Sequence, residues 1–438
     1  MSQNFEYVIP PWEAEMIIKD LSPSNLEEIG TKLWFEYHKK LMHLSQQSVL
    51  EITHMREETI KEWFVTFQKI PILIFEAIQI SVWKQKIFPR LLELDEEPSN
   101  TFMLYSVLYH ESIAVSLLEN ILYHSDSIES LEDPSLDLID YAVSCITEII
   151  FPKEQDQDDS NNIKEDQSCL EELLLKKKEI EFDISIKCIS IIGYLGSFAD
   201  SLPLATLKRL LSTHDVPYLF AQLIELRPWI KVVDGTRMIY STIGVWEKLK
   251  EGEEDKVSKI EGQVWFGLRE LLLNPKAATY YQVSEFRISA LAKLQKYLHE
   301  RVLDQIPPLV DFRRWLSCLN VTSQVPDSKP GFCVEIIPQI RSSIVDKYKK
   351  KWKKIAEQQS EYFFAKNIEY VQNMAQVLSE AYDLDKLVID DNKCVVCRSL
   401  ANKRCSKCKK VWYCGRECQV KDWTTHKNEC EKISKDRD

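Results

Sequence analysis

The sequence predicts a mostly α-helical fold, and three observations carry that expectation. Glycine is scarce, with 10 in 438 residues, well below the usual ~7%. Apolar residues make up 45% of the chain and recur at intervals of three and four, the helical period. Prolines and short polar clusters punctuate this pattern, leaving runs of roughly 10 to 25 residues that suit helices joined by brief loops. A chain of this length has room for two or three domains.

From the N-terminus, Pro10 to Trp12 leads into a short helix over Glu13 to Asp20. Ser22 and Ser24 are expected as turn and capping residues before helical spacing runs from Leu26 to about Glu51, and a third helix is expected over Glu58 to Gln68. Pro71 opens a long apolar helix through Trp83. Phe75, Ile78 and Val82 form one stripe there and Ile74 and Ile80 widen it, so this helix should be buried on most sides and serve as the hub of the N-terminal half. Thr101 to Tyr123 and Ser135 to Phe151 continue with no strand alternation between them.

Residues 152–168 interrupt the pattern. Lys153 to Asn162 is polar, acidic and free of aromatics, and such a segment buries too little to offset ordering, so a disordered loop is expected. It lacks the glycine and terminal Glu of a calcium loop. Helical spacing resumes over Leu170 to Leu195, Pro203 to Ser212, Val216 to Leu226, Trp229 to Lys250, Gln263 to Asn274 and Ser284 to Leu303, with a charged joint at Glu251 to Lys256. Pro307 and Pro308 begin a further helix through Cys318. Residues 1–330 therefore read as a helical array, armadillo- or HEAT-like or an irregular bundle; no repeated consensus decides between them.

A connecting segment, 331–385, follows. Phe332 to Ile337 reads as a strand or an extended linker into a helix starting near Ser342. Val345, Tyr348, Trp352, Ile355 and Tyr362 take a/d-like positions on that helix, while Phe364, Ile368, Val371, Ala375 and Leu378 continue in a shifted phase, so a break is expected near Ser360. Packing against the body is the expected role of this segment. Lys347, Lys349, Lys350, Lys351, Lys353 and Lys354 read as a solvated face or a dock on the acidic body, in preference to a nucleic-acid patch.

Residues 386–434 differ in kind. Cys394, Cys397, Cys405, Cys408, Cys414, Cys418, His426 and Cys430 give the pattern C-x2-C-x7-C-x2-C-x5-C-x3-C-x7-H-x3-C. Zinc takes four tetrahedral thiolate or imidazole ligands, so eight ligands mean two closed sites with no open position for a substrate. Disulfides are disfavoured because Met1 to Glu15 lacks the basic start and apolar run of a signal peptide, which points to a reduced, intracellular setting. Cys145, Cys169, Cys188, Cys318 and Cys333, outside the cluster, read as small core residues.

Every gap of the pattern matches the MYND-type zinc finger, whereas a RING finger ends in C-x2-C. The resemblance implies interleaved sites, Cys394, Cys397, Cys414 and Cys418 on one zinc and Cys405, Cys408, His426 and Cys430 on the other. It also implies a groove for short proline-containing peptides lined by Ser406, Gln419 and Trp423. Gln419 and Trp423 lie four apart, so one helical turn brings them together. The alternative for Trp423 is that it fills the small core. Ile306-Pro307-Pro308-Leu309-Val310 imitates such a ligand and could occupy the groove, although the prolines also suit a helix start.

The net charge is −12, but from Lys393 to the end thirteen Lys and Arg face six Asp and Glu, leaving about −19 on the rest. Two zinc ions with their thiolates would bring the finger near +4, too little to argue for nucleic acid. No apolar run approaches the ~18 residues of a membrane span. Enzyme signatures fail: His110-Glu111 is not followed by a second His at the required spacing, Gly193 and Gly196 belong to no phosphate loop, and G-x-S-x-G is absent. His38, His43, His54, His214 and His299 read as structural or surface residues. His124-Ser125-Asp126 has the form of an iron motif but lies in a polar joint.

Across the N-terminal third, Val82-Trp83-Lys84-Gln85-Lys86, Asn100-Thr101-Phe102, Tyr109-His110-Glu111 and Leu136-Asp137-Leu138-Ile139-Asp140-Tyr141 occur in the order found in the zinc finger MYND domain-containing protein 10 family. That resemblance implies a cytoplasmic, non-catalytic assembly factor for axonemal dynein arms in motile cilia. Its expected partners are a leucine-rich-repeat assembly factor, heat-shock chaperones and co-chaperones, with dynein chains as clients. A nuclear corepressor or adaptor binding proline-containing peptides is the alternative, and a SET-type methyltransferase a remoter one.

Overall fold

The computed structural model describes residues 7–98, 100–151, 168–233, 235–241, 244–249, 252, 256–282, 284–319, 337–364, 395–397, 403–405 and 411–435. The acidic segment 152–167, the strand candidate 332–336, Cys333 and the heptad continuation at Ile368, Val371, Ala375 and Leu378 lie outside them. The chain divides into two units, Met1–Leu378 and Ser379–Asp438.

In the first unit, helices α1 (Pro11–Asp20), α2 (Lys32–Thr53), α3 (Thr59–Thr66), α4 (Ile70–Lys86), α5 (Phe88–Leu94), α6 (Phe102–Leu122), α7 (Ser125–Glu129) and α8 (Pro134–Ile150) precede the 29-residue α9 (Cys169–Ser197). Then come α10 (Leu204–Lys208), α11 (Val216–Leu226), α12 (Lys259–Leu273), α13 (Ala277–Tyr280), α14 (Glu285–Ala292), α15 (Glu300–Gln305), α16 (Leu309–Leu319), α17 (Ile340–Tyr348) and α18 (Trp352–Phe363). Oxygen caps mark several starts. Thr31 accepts from the Trp34 amide, Ser258 from that of Glu261, and Ser168 forms a reciprocal capping box with Glu171.

The long helices pack in succession, α4 on α6, α6 on α9, α9 on α12 and α12 on α16. Helix α4 is buried on most sides, as its apolar stripe predicts. Gly193 and Gly196 serve the α9–α12 crossing: a Cβ at Gly267 would lie 3.4 Å from the Gly193 Cα and 2.6 Å from Phe220. Segment 337–364 returns to the start of the chain, α17 on α4 and α18 on α5. Trp83 donates to Gln359 (2.8 Å), Gln359 to the Leu26 carbonyl (2.8 Å), and Tyr348 to Asn25 (2.8 Å).

Four expectations are corrected. Residues 230–248 form an antiparallel sheet, β1 (Ile230–Val233), β2 (Thr236–Tyr240) and β3 (Trp246–Lys248), not a helix. Val232 and Val233, then Thr236, Ile239 and Tyr240, are β-formers, and Gly235 at φ +73° supplies the left-handed residue of a tight hairpin. Ser284 to Leu303 breaks at Leu298 and His299, the latter extended, before α15. The helix expected from near Ser342 to Ser360 is interrupted at Lys349–Lys351, where Tyr348 and Trp352 are buried on either side and the lysines face solvent, and α18 then ends at Phe363, close to the break expected near Ser360. Cys169 and Cys318 are exposed, while Cys188 is buried and Cys145 half-buried.

A buried polar cluster lies inside this apolar body. The fully buried Glu76 carboxylate accepts from the Ser24 amide (2.6 Å) and hydroxyl (2.7 Å) and from Tyr37 (3.3 Å), so Ser24 serves the core while Asn25 caps the following turn. His110 Nε2 lies 3.3 Å from Glu76, and His110 Nδ1 lies 2.9 Å from His38 Nδ1. With His110 Nε2–H donating to the carboxylate, its Nδ1 is placed to accept from His38 Nδ1–H. Burial, with His110 alongside, holds the His38 imidazolium well below the usual range. The unfolded chain therefore binds the proton more readily, and His38 contributes stability that is full above about pH 6.5 and erodes as pH falls below it. The urea midpoint of the intact chain should drop between pH 7.5 and 5.5 by more than that of His38→Gln; equal drops would contradict this reading.

Candidate metal centre

The second unit is built on a two-residue strand pair, β4 (Lys403–Arg404) and β5 (Trp412–Tyr413), and on α19 (Arg416–Lys435). Lys403 pairs with Tyr413 and Arg404 with Trp412, and the Cys405 amide donates to the Val411 carbonyl at 2.9 Å. The Val395 amide donates to Trp412 at 3.1 Å, which fixes the turn carrying Cys397. Along α19, Cys418, Asp422, His426 and Cys430 recur every four residues and so share one face.

Two groups of ligand atoms result. Cys397 Sγ lies 3.4 Å from Cys414 Sγ and 3.8 Å from Cys418 Sγ, and Cys414 lies 3.5 Å from Cys418. Cys405 Sγ lies 3.8 Å from Cys430 Sγ, and His426 joins them, all ligand atoms within 4.8 Å of one another. A zinc tetrahedron with Zn–S near 2.3 Å has S···S edges of about 3.8 Å. The donor sets therefore fit zinc, and each group could hold one ion. Cys394 and Cys408 lie outside the described residues, as does Ser406. Zinc held by each group would cross-link its elements, Cys397 to the end of β5 and to α19 in one and Cys405 to α19 in the other.

Among the described residues of this unit, the core is Cys405, Tyr413 and Cys430, flanked by Val411, Trp412, Cys414 and Cys418. Tyr413, 1% exposed, donates to Asp422 Oδ2 at 2.7 Å and sets its ring edge-on to His426 at 6.2 Å. Sequence reasoning passed over both residues, although the four-residue recurrence places Asp422 on the ligand face. Gln419 is half-buried, whereas Trp423 is 41% exposed with its ring edge-on to His426 at 6.2 Å, so Tyr413 rather than Trp423 fills the core.

The remaining sequence candidates do not assemble a site. His124 pairs with Glu58 (2.9 Å) and Asp126 with Lys61 (3.0 Å), each committed to a separate partner. His110 belongs to the Glu76 cluster. Ile306 and Leu309 are buried, Ile306 reaching towards Gly262 of α12.

A short finger with interleaved Cys/His groups, attached to a helical body, defines a MYND-type zinc-finger protein, and the MYND finger family matches residues 394–430. Over its whole length the chain resembles the zinc finger MYND domain-containing protein 10 homolog of Drosophila melanogaster, 34% identical across 96% of this chain and 98% of the relative. The chain belongs to the zinc finger MYND domain-containing protein 10 family. Shorter likenesses are to the histone-lysine N-methyltransferase ASHR1 of Arabidopsis thaliana, 39% over 46 residues (10% of each chain), and to ubiquitin carboxyl-terminal hydrolase 19 of the same plant, 45% over 47 residues (10% of this chain, 7% of that one). No solved structure matches. Among the described residues, no single helix is long and apolar enough to cross a membrane.

Proposed function

We propose that the chain is a non-catalytic cytoplasmic scaffold for preassembly of inner and outer axonemal dynein arms, engaging partner proteins through its zinc finger. A leucine-rich-repeat assembly factor and heat-shock chaperones with their co-chaperones are the proposed partners, and dynein chains the clients. The kinship along the whole chain supports this reading, because it includes the helical body as well as the finger. The observation that carries the binding role is Trp423: a large aromatic ring left 41% exposed one turn from Gln419, on a helix otherwise anchored by metal ligands.

An extended proline-containing peptide suits such a ledge. It has little chain entropy left to lose, Gln419 offers hydrogen bonds to its backbone, and Trp423 offers an apolar face. Truncating an exposed aromatic anchor of this kind costs about 2 kcal/mol or more of binding, roughly 30-fold. Proximity labelling in ciliated cells, comparing the intact chain with Gln419→Ala/Trp423→Ala, should show loss of assembly-factor and chaperone labelling while purified variant retains both zinc ions. Labelling of chromatin proteins instead, or an unchanged partner set, would contradict the proposal.

A further inference from the structure

We propose that the Tyr413–Asp422 hydrogen bond couples the two metal groups, so that they load zinc as one cooperative unit. Three observations converge on it. Helix α19 carries Cys418 of the first group and His426 and Cys430 of the second, and Asp422 stands midway, four residues from both Cys418 and His426. On the strand side, Tyr413 directly precedes Cys414 of the first group. Buried Tyr413 bridges these elements twice, its hydroxyl on Asp422 at 2.7 Å and its ring against His426.

The consequence is mechanical. A metal held by Cys414 and Cys418 ties the end of β5 to the first turn of α19, which brings the Tyr413 hydroxyl to Asp422. That contact fixes the next turn of the helix, and with it the side chains of His426 and Cys430. Filling the second group does the same in reverse, as reciprocity of coupling requires. Without the hydroxyl, the helix beyond Cys418 is free to settle independently. Removing a hydrogen bond to a charged acceptor should reduce the coupling on the order of tenfold or more. Tyr413 and Asp422 are thus positioning residues, with no contact to the metal implied.

Cobalt titration of the metal-free full chain tests this, because all-thiolate and three-thiolate-plus-imidazole cobalt centres absorb differently. In the intact protein both spectra should grow in constant proportion from the first addition. In Tyr413→Phe, which keeps the ring, one should saturate before the other, with two ions still bound at the end. Asp422→Asn, whose amide oxygen can still accept from Tyr413, should keep most of the concerted behaviour. A merely structural role for Tyr413 would weaken both sites together without separating them. Concerted filling in Tyr413→Phe, or sequential filling in the intact chain, would overturn the proposal.

Discussion

Chelation of zinc from the full chain should unfold residues 394–430 while the helical body stays folded. Among the described residues the finger's core consists of Cys405, Tyr413 and Cys430, and two of those three belong to a candidate ligand group. A segment of that size cannot bury enough apolar surface to fold unaided. Metal binding is therefore folding free energy, on the order of 10 kcal/mol or more per site. Hydrogen exchange should show peptides from 411–435 losing all protection after chelation, while those from α4, α6 and α9 keep theirs. Retained protection in 411–435 would mean that the thiols pack as an ordinary core; loss throughout would mean that the two units do not fold independently.

Replacing Lys84 with Met should destabilise the body by about 3–5 kcal/mol, the usual result of stranding a buried charge. Lys84 Nζ lies 2.7 Å from Glu111, whose side chain is 1% exposed, and 3.0 Å from Glu181. Burial alone would lower the lysine pKa, but Glu111 and Glu181 outweigh it and raise it; for Glu111, burial raises the pKa against the opposing pull of Lys84. Tyr141 donates to the other Glu111 oxygen at 2.8 Å, so α4, α6 and α8 meet at this carboxylate and α9 joins them through Glu181 on Lys84. The urea midpoint should fall sharply in Lys84→Met and recover by more than half when Glu111→Gln is added, since Glu181 keeps Lys177 at 2.8 Å and the double variant removes the stranded Glu111 charge. A single variant within about 0.5 kcal/mol of the intact protein, the range of ordinary surface changes, would contradict the assignment.

These cases show what the sequence revealed and what it hid. Helices with a wide apolar stripe, such as α4, α6 and α8, were legible because burial on one or more faces writes itself into the spacing. The ligand spacing pointed to eight residues, and the six of them that lie among the described residues gather into two groups, because a metal demands fixed residue types within reach of one point. The β1–β3 sheet was missed although its signal was local: Gly235 follows an Asp between two β-branched runs, a pattern that helical periodicity on either side obscured. The Glu76–His110–His38 and Lys84–Glu111 contacts were not legible at all. They join residues 34, 72 and 27 positions apart, and a lone Glu in an apolar helix does not name its partners. The return of 337–364 onto the first helices is hidden for the same reason, since Gln359 meets Trp83 276 residues away.

The two-ion finger is the claim on which the proposed binding role and the Tyr413 coupling both rest. Native mass spectrometry of full-length protein, purified without chelator or added metal, tests it most directly. The account predicts a mass excess of two zinc ions per chain, both lost together on acidification. One ion, or none, would contradict it.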